Sequence, residues 1–549
     1  MRLLFLVLLL ALCANAGFFD TRLGQKIKEA LGKIKDALNS TALVAIRQKF
    51  NNLKENIKAK LALSPARKAI LEELLKHIRK IKKDRVQEEG DSIEEINEKT
   101  HVAELLYQGD IVLTRTQAKE IVENIEDDSG RIKRQMFRDY RYPKKAIWEN
   151  NTIHYYFNWG TTNKVKRVFR KGAGLWQKDT CIDFIEDYDS HDRILVFIGN
   201  GCWSYIGRRS GEQGLSLGIG CDTVGTAAHE IGHAIGFWHT HARHDRDYFI
   251  TFNAHNVHRD WLDQFALQTQ YTNENYGLPY DYGNIMHYGA NSASWNGQPT
   301  MVPNDPKYME TLGSPIISFY ELLMINKHYG CDKNCKPEES AKCKNGGFPH
   351  PRNCKTCICP SGYGGTLCGR RPDGCGAVYE ATTEYKTFRD VVGNKTAGQR
   401  AREDFDFCYN WIKAPKGSKI EVKIAGLSKG LAVDGCLYWG VEIKTQADQR
   451  LTGYRFCAPE DVGVTLKSAS NIVPIITYNR FYATMVDIQY RIVPGGNGGK
   501  PKRKSRETCA DSKKCALLKG TETRDFCNST VFTDSIKKSL CAKTCGYCD

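Results

Sequence analysis

Between Cys13 and Cys181 the chain has no cysteine, so no disulfide can form within that stretch. It also lacks any apolar run of about 20 residues, the length that crosses a bilayer, which excludes a transmembrane helix. Acidic side chains are in deficit, with 63 Asp and Glu against 79 Lys and Arg, and the formal net charge is +16. Such an excess favours acidic surfaces such as sulfated matrix or anionic lipid. Part of it lies in basic clusters shaped like processing sites, and no nucleic-acid motif accompanies it, so nucleic acid is not an expected partner. Hydrophobic content of 41% is ordinary for globular protein and excludes disorder throughout.

The N-terminus carries an address. Arg2 precedes an apolar run over residues 3–12, and Ala14-Asn15-Ala16 supplies the small-x-small pattern of leader cleavage. Residues 1–16 therefore read as a signal peptide, and the product as secreted and extracellular. Of 21 cysteines, Cys13 leaves with the leader. The rest lie at or beyond Cys181, an even set that reads as disulfides in an oxidising compartment.

From about residue 18 to residue 98 the chain is rich in Lys, Glu, Leu and Ile. Ile27, Leu31, Ile34 and Leu38 fall at helical spacing, and so do Ile70, Leu74, Ile78 and Ile81 after a break at Ser64-Pro65. These read as amphipathic packing helices. Arg131-Ile132-Lys133-Arg134 follows an acidic, Gly-containing stretch and has the form of a dibasic convertase site in an accessible loop. Cleavage after Arg134 would make Gln135 the new N-terminus and residues 17–134 a helical propeptide. Beyond it the cysteines fall into four blocks of four, six, four and six: 140–331, 335–368, 375–493 and 509–548. The third block shows β-type alternation, as over 419–424. Residues 494–508 are rich in Gly, Pro and Lys and read as a linker. The last block is so short that disulfides must staple it.

His229-Glu230-Ile231-Gly232-His233 carries the chemistry. On a helix, positions i and i+4 share a face, so both imidazoles can bind one metal ion, with Glu230 beside it as a base. The motif continues through Gly236 to His239. Glycine can adopt the backbone angles that end the helix and turn the chain back, which would deliver His239 as a third ligand. Three neutral nitrogens leave one position of Zn²⁺ for water, the pattern of a catalytic site; structural sites usually have four protein ligands rich in Cys. One zinc ion is the expected cofactor. His241, His244, His255 and His258 match no helical face shared with His229 and His233 and read as surface residues or as supports for the ligands.

With these residues in hand, the chain resembles the astacin family of metzincin peptidases over residues 140–331. His229 to His239 match the zinc signature. Arg243-His244-Asp245-Arg246-Asp247 resembles the family's following R-x-D-R-D, and Asn284-Ile285-Met286-His287-Tyr288 resembles its Met-turn. The strings around Trp176 to Ile182 and Gly201 to Tyr205 are also family-like. The resemblance implies an α+β catalytic domain over 135–331 and a zinc metalloendopeptidase that cleaves matrix, cuticle or other secreted proteins. It implies that Met286 forms the floor beneath the metal and that Tyr288 steadies the oxyanion. It also implies the pairs Cys181–Cys331 and Cys202–Cys221. Tyr107-Gln108-Gly109-Asp110 resembles the F-x-G-D motif of the family's propeptides, which makes Asp110 the expected zinc-blocking switch. Two positions depart from the pattern: Thr240 stands where the family has Glu, and Asn284 where it has Ser.

The other blocks carry resemblances of their own. Residues 332–369 resemble an EGF-like module, implying Cys335–Cys354, Cys343–Cys357 and Cys359–Cys368, with no calcium expected. Residues 375–493 resemble a CUB β-sandwich, implying Cys375–Cys408 and Cys436–Cys457. Residues 509–548 resemble an ShK toxin-like module, implying Cys509–Cys548, Cys515–Cys541 and Cys527–Cys545. Channel-blocking members of that class carry a Lys-Tyr pair before the fourth cysteine. This chain has Lys537-Lys538 there, so docking is the expected role. The expected partners are extracellular protein substrates, an activating convertase, and matrix or receptor proteins bound through the CUB-like and ShK-like modules. Arg503-Lys504-Ser505-Arg506 gives the linker a second convertase-type sequence. Asn39, Asn150, Asn394 and Asn528 occupy N-x-[ST] glycosylation sequons. The rival to an enzyme is a binding protein with a dead catalytic domain. Such a homologue would normally lose a ligand or the base, and His229, Glu230, His233 and His239 are all present.

Overall fold

A computed structural model describes residues 41–126, 136–137, 146–268, 273–493 and 510–548. Asn39, Arg134, Gln135, Cys509, the Ile27 to Leu38 pattern and the 494–508 linker lie outside the described residues.

The N-terminal segment is mostly helical: α1 (Thr41–Asn52), α2 (Lys54–Leu61), α3 (Pro65–His77) and α4 (Ile93–Lys99), followed by β1 (Ile111–Val112) and α5 (Arg115–Glu126). Ser64 caps α3 by accepting from the Arg67 amide, and Pro65 sits in the first turn, where its missing N–H costs nothing. Sequence spacing carries this helix on to Ile81, but it stops at His77 and Ile78 is extended. Past that point the chain binds elsewhere: Arg79 reaches Asp461, and Asp84 exchanges hydrogen bonds with Ala432. Those tertiary contacts outweigh the helical pattern.

The next unit begins with β2 (Met136–Phe137) and β3 (Thr152–Phe157), and continues with α6 (Asn163–Lys178), β4 (Asp183–Glu186), β5 (Arg193–Phe197), β6 (Cys202–Tyr205) and β7 (Glu212–Leu217). It ends with α7 (Val224–Ala234), β8 (Ile250–Phe252), β9 (Asn273–Glu274), β10 (Met301–Pro303) and α8 (Phe319–His328). The main sheet runs β1-β6-β7-β5-β3-β4, with β6 and β7 antiparallel and the other neighbours parallel. Its outer strand, β1, comes from the N-terminal segment and pairs Ile111 with Ser204 and Val112 with Tyr205. Helices α6 and α7 pack closely, because Gly172 lets the α6 backbone come against Ala227 and Ala228. Trp148, Phe169, Trp176, Ile194, Leu215, Ile231 and Met286 are buried in one core cluster. A second cluster mixes both segments, with Phe50, Leu53, Ile57 and Tyr107 against Trp238, Trp261, Phe265 and Tyr288.

A small unit follows with one hairpin, β11 (Phe348–His350) and β12 (Asn353–Ile358). Then come β13 (Val378–Glu380), β14 (Lys386–Gly393), β15 (Ala401–Lys413), β16 (Ile420–Leu427), β17 (Trp439–Ile443), β18 (Tyr454–Phe456), β19 (Thr465–Lys467), β20 (Ile472–Phe481) and β21 (Ala483–Ile492). They form two sheets, β13-β15-β20-β17-β18 and β14-β21-β16-β19. Alternating apolar residues such as Ile420, Val422, Ile424, Ile475, Val486 and Ile488 fill the layer between them. The C-terminal unit holds α9 (Thr521–Asn528) and α10 (Asp534–Cys541). Among the described residues no helix is long and apolar enough to cross a membrane.

Disulfides whose two cysteines are both described stay within units. They join Cys181–Cys331, Cys202–Cys221, Cys335–Cys354, Cys343–Cys357, Cys359–Cys368, Cys375–Cys408, Cys436–Cys457, Cys515–Cys541 and Cys527–Cys545. Cys548 is also disulfide-bonded. Asn150, Asn394 and Asn528 are exposed.

Candidate active site

Helix α7 is capped by Thr223, whose side chain accepts from the Thr226 amide, and it ends at Ala234. That span puts His229 and His233 one turn apart on one face. Gly236 then takes φ of 116°, a value open to glycine and strained for other residues, and the chain doubles back to His239. All three imidazoles are buried.

The outer nitrogen of each ring is engaged. Nδ1 of His229 lies 2.8 Å from the Ile285 carbonyl, that of His233 2.7 Å from the Phe237 carbonyl, and that of His239 3.0 Å from Oε1 of Gln108. Carbonyl oxygens only accept, so each Nδ1 carries the proton and each Nε2 presents a lone pair. The three lone pairs converge on the Asp110 carboxylate. Asp110 Oδ2 is 3.2 Å from His229 Nε2 and 3.1 Å from His239 Nε2, and Oδ1 is 3.4 Å from His233 Nε2. The His229 and His239 Nε2 atoms are 3.3 Å apart.

Four electron-rich atoms facing one another in a dry pocket repel unless a cation sits among them. Ligands about 2.0–2.1 Å from a tetrahedral zinc ion stand roughly 3.3 Å from each other, which is the spacing here. Asp110 Oδ1 and His233 Nε2 are buried without a hydrogen-bond partner, which a metal would supply. The residues present therefore fit the ion. Burial keeps His233 and His239 easier to deprotonate than an ordinary imidazole, His239 down to about 3, although Asp110 opposes this.

Glu230 lies beside the cluster. Both its carboxylate oxygens are buried without a hydrogen-bond partner, and burial, then the Asp110 charge, push its pKa well above the usual value. Tyr288 donates from its hydroxyl to the Gln108 carbonyl and stands 3.2 Å from Asp110 Oδ2. Burial raises the Tyr288 pKa well above that of free tyrosine, which keeps the hydroxyl a donor. Met286 is buried under α7, where a side chain at Gly232 would strike its sulfur. Asn284 accepts from the Met286 amide at 2.9 Å, so the amide side chain serves this turn.

Residues 107–111 form a tight turn that offers Asp110 to the cluster. Tyr107 and Ile111 exchange backbone hydrogen bonds, and Gly109 has φ of 82°. A Cβ on Gly109 would lie 2.9 Å from the Tyr288 hydroxyl and 3.2 Å from Trp261, so only glycine fits both the angle and the space. Gln264 accepts from the Gly109 amide, and Asn97 donates to the Gly109 and Cys202 carbonyls.

His241 is not on the surface. It is buried, stacked on His239 with ring centres 5.0 Å apart, and sits 4.4 Å from the Tyr288 ring. His255 and His258 are exposed, and His244 is half-buried.

Sequence reasoning missed Gln108, Gln264 and Glu321. Glu321 accepts from the Ser318, Ile285 and Met286 amides, so one buried carboxylate ties α8 to the Met286 turn. Burial pushes its pKa up to about 8. The capping-box pattern Ser318-x-x-Glu321 was the signal available for it. Gln108 and Gln264 act across long sequence separations and leave no local signal.

A profile of the Astacin peptidase family matches residues 140–330. Zinc metalloproteinase nas-31 of Caenorhabditis elegans is 42% identical over 496 residues, covering 88% of this chain and 80% of that protein. Zinc metalloproteinase nas-32 of the same organism is 34% identical over 458 residues, covering 83% and 67%. Among solved structures, High choriolytic enzyme 1, a hatching enzyme zinc-protease from Oryzias latipes, aligns with 29% identity and a TM-score of 0.32. It covers 34% of this chain and 96% of that one.

Proposed function

Because this chain belongs to the astacin family and is a zinc metalloendopeptidase, we propose that it is secreted as a latent precursor. Removal of residues 17–134, the prosegment, then starts the active chain at Gln135. The single observation that carries this reading is the Asp110 carboxylate, which lies among three histidine nitrogens that present lone pairs.

His229, His233 and His239 would hold the ion, and Asp110 would take the remaining place until the prosegment leaves. Bound there, zinc supplies a Lewis acid that acidifies water and polarises the scissile carbonyl. Glu230 takes a proton from the attacking water and returns it to the departing amine. The Tyr288 hydroxyl, freed from Gln108, donates to the oxyanion of the tetrahedral intermediate. Met286 and Glu321 keep the ligand helix and the turn beneath it in register. Residues 332–369, 375–493 and 509–548 act as EGF-like, CUB and ShK-like modules, with extracellular proteins as substrates and a convertase-type protease as activator.

The test compares the intact precursor, the chain cut after Arg134, and the cut Glu230→Gln chain on a peptide library. The precursor is expected to be silent and the cut chain active, with activity abolished by a strong chelator. Glu230→Gln is expected to lower the rate by about 10²–10⁴-fold. Chelator-resistant cleavage, or an uncut precursor as fast as the cut chain, sinks the reading.

A further inference from the structure

The prosegment also fills a second, charged seat. Between α3 and α4 it crosses the seam between the catalytic unit and the β-sandwich without helix or strand. In the run Arg79-Lys80-Ile81-Lys82-Lys83, Lys80 and Lys82 face solvent while Arg79 and Lys83 are drawn in. Lys83 Nζ lies 2.5 Å from Glu310 Oε1 and 3.1 Å from Asp434 Oδ1. Glu310 belongs to the catalytic unit and its side chain is only 2% exposed, while Asp434 belongs to the sandwich. The next residue is held through its backbone and its side chain: the Asp84 amide donates to the Ala432 carbonyl at 3.1 Å, and the Ala432 amide donates to Asp84 Oδ2 at 2.9 Å.

The seat belongs to the walls rather than to the strap. Asp434 Oδ2 also accepts from the Asn291 amide across the seam. The Cys436–Cys457 disulfide stands beside Glu310 and pins the turn that carries Asp434. At that turn the two units touch backbone to backbone, since a Cβ on Gly435 would lie 2.1 Å from the Gly313 carbonyl oxygen. Burial works against the Lys83 ammonium, yet the two carboxylates raise its pKa. A cavity of about 650 Å³ runs from Lys83 and Asp434 to His229 and Tyr288, so the seat opens on the catalytic cleft.

Once the strap leaves, the notch between Glu310 and Asp434 loses the cation that lay against both side chains. We infer that this notch, formed by Glu310 and Asp434, then binds a lysine side chain of a polypeptide substrate, in the place Lys83 fills in the precursor. The inference rests on the proposed removal of the prosegment and makes lysine, away from the scissile bond, a determinant of substrate choice.

The first arm of the test reads binding. A fluorescent peptide of residues 78–91 is titrated into the chain cut after Arg134 and carrying Glu230→Gln, freed of its prosegment, so the result does not depend on turnover. Replacing the lysine at position 83 of the peptide with norleucine should weaken binding by about tenfold or more. Glu310→Gln and Asp434→Asn in the protein should do the same, and should remove most of the difference between the two peptides. The second arm reads cleavage of quenched peptides that share one scissile segment and carry lysine or norleucine at scanned distances. The cut wild-type chain should show a higher kcat/KM for lysine at one spacing, and Glu310→Gln should erase that ratio. Equal binding of the lysine and norleucine peptides, or a lysine-to-norleucine ratio near one at every spacing, overturns the inference. The peptide substitutions need no protein variant, so a misfolded variant cannot hide the result.

Discussion

The β-sandwich and the C-terminal disulfide unit both lie beyond the catalytic unit in sequence, yet they are attached in different ways. The sandwich is joined to the catalytic unit by buried polar contacts. Arg455 donates to Glu442 within the sandwich and to Ser314 across the seam, and its amide donates to Thr311. Thr452 donates to Asp281, Tyr454 to Asp305 and Tyr320 to Asp448. The C-terminal unit packs instead on α3 of the proposed prosegment. Ile70, Leu71 and Leu74 share a core with Leu518, Phe526, Phe532, Ile536 and Leu540. Its polar contacts Ser64 to Glu522, Lys514 to Glu72 and Ser539 to Glu73 also end on the prosegment. One accessory unit is thus joined to the catalytic unit directly, whereas the other rests mainly on the segment proposed to be removed, with Val302 of the catalytic unit also in its core.

The sharpest way to break this contrast is to cut the chain within residues 494–508 and follow the fragments by size exclusion. With the prosegment in place the C-terminal unit should co-elute with the body; after cleavage at Arg134 it should separate completely. Co-elution with the mature body would remove the distinction. Next in size, Arg455→Ala strands buried Glu442 and should cost about 3–5 kcal/mol, read as a lower denaturant midpoint for the catalytic unit and sandwich together. An effect confined to the sandwich would mean that the seam contributes little. Leu540→Ala, in the core shared with α3, should cost about 2–4 kcal/mol. It should loosen only the C-terminal unit and the α3 helix it packs on, seen as faster amide exchange in α3 and α10 with the sandwich unaffected. At the small end, Lys514→Ala removes an exposed ion pair and should leave unfolding unchanged within error. A clear shift there would show that polar contacts, rather than the apolar core, hold the unit in place.

How much of this could be read beforehand depended on range. The spacing of His229, His233 and His239 is local, because a helix and one glycine turn place all three, and the sequence carried it openly. Asp110 had to come from a short string resembling a family motif, since its position depends on β1 pairing with β6 and on a turn that only Gly109 fits. Gln108 and Gln264 act on the site from far along the chain with no periodic signature, and for Glu321 the capping box announced only its local role, not its bonds to the Ile285 and Met286 amides. The helical spacing of Ile70, Leu74, Ile78 and Ile81 overran the true end of α3, because Arg79 and Lys83 find buried carboxylates that no local pattern announces. The sandwich was easier, since its alternation records burial directly along each strand.

The cysteine-free N-terminal stretch has a consequence for timing. While the backbone is whole, Asp110 meets the histidines at the high effective concentration of a tethered group, on the order of millimolar, so a modest intrinsic affinity would suffice for the proposed latency. No sulfur bond spans the cut, so one hydrolysed peptide bond turns the tethered group into a free solute that dilutes away. Activation would then act as a ratchet, driven forward by volume rather than by any change in the contacts themselves.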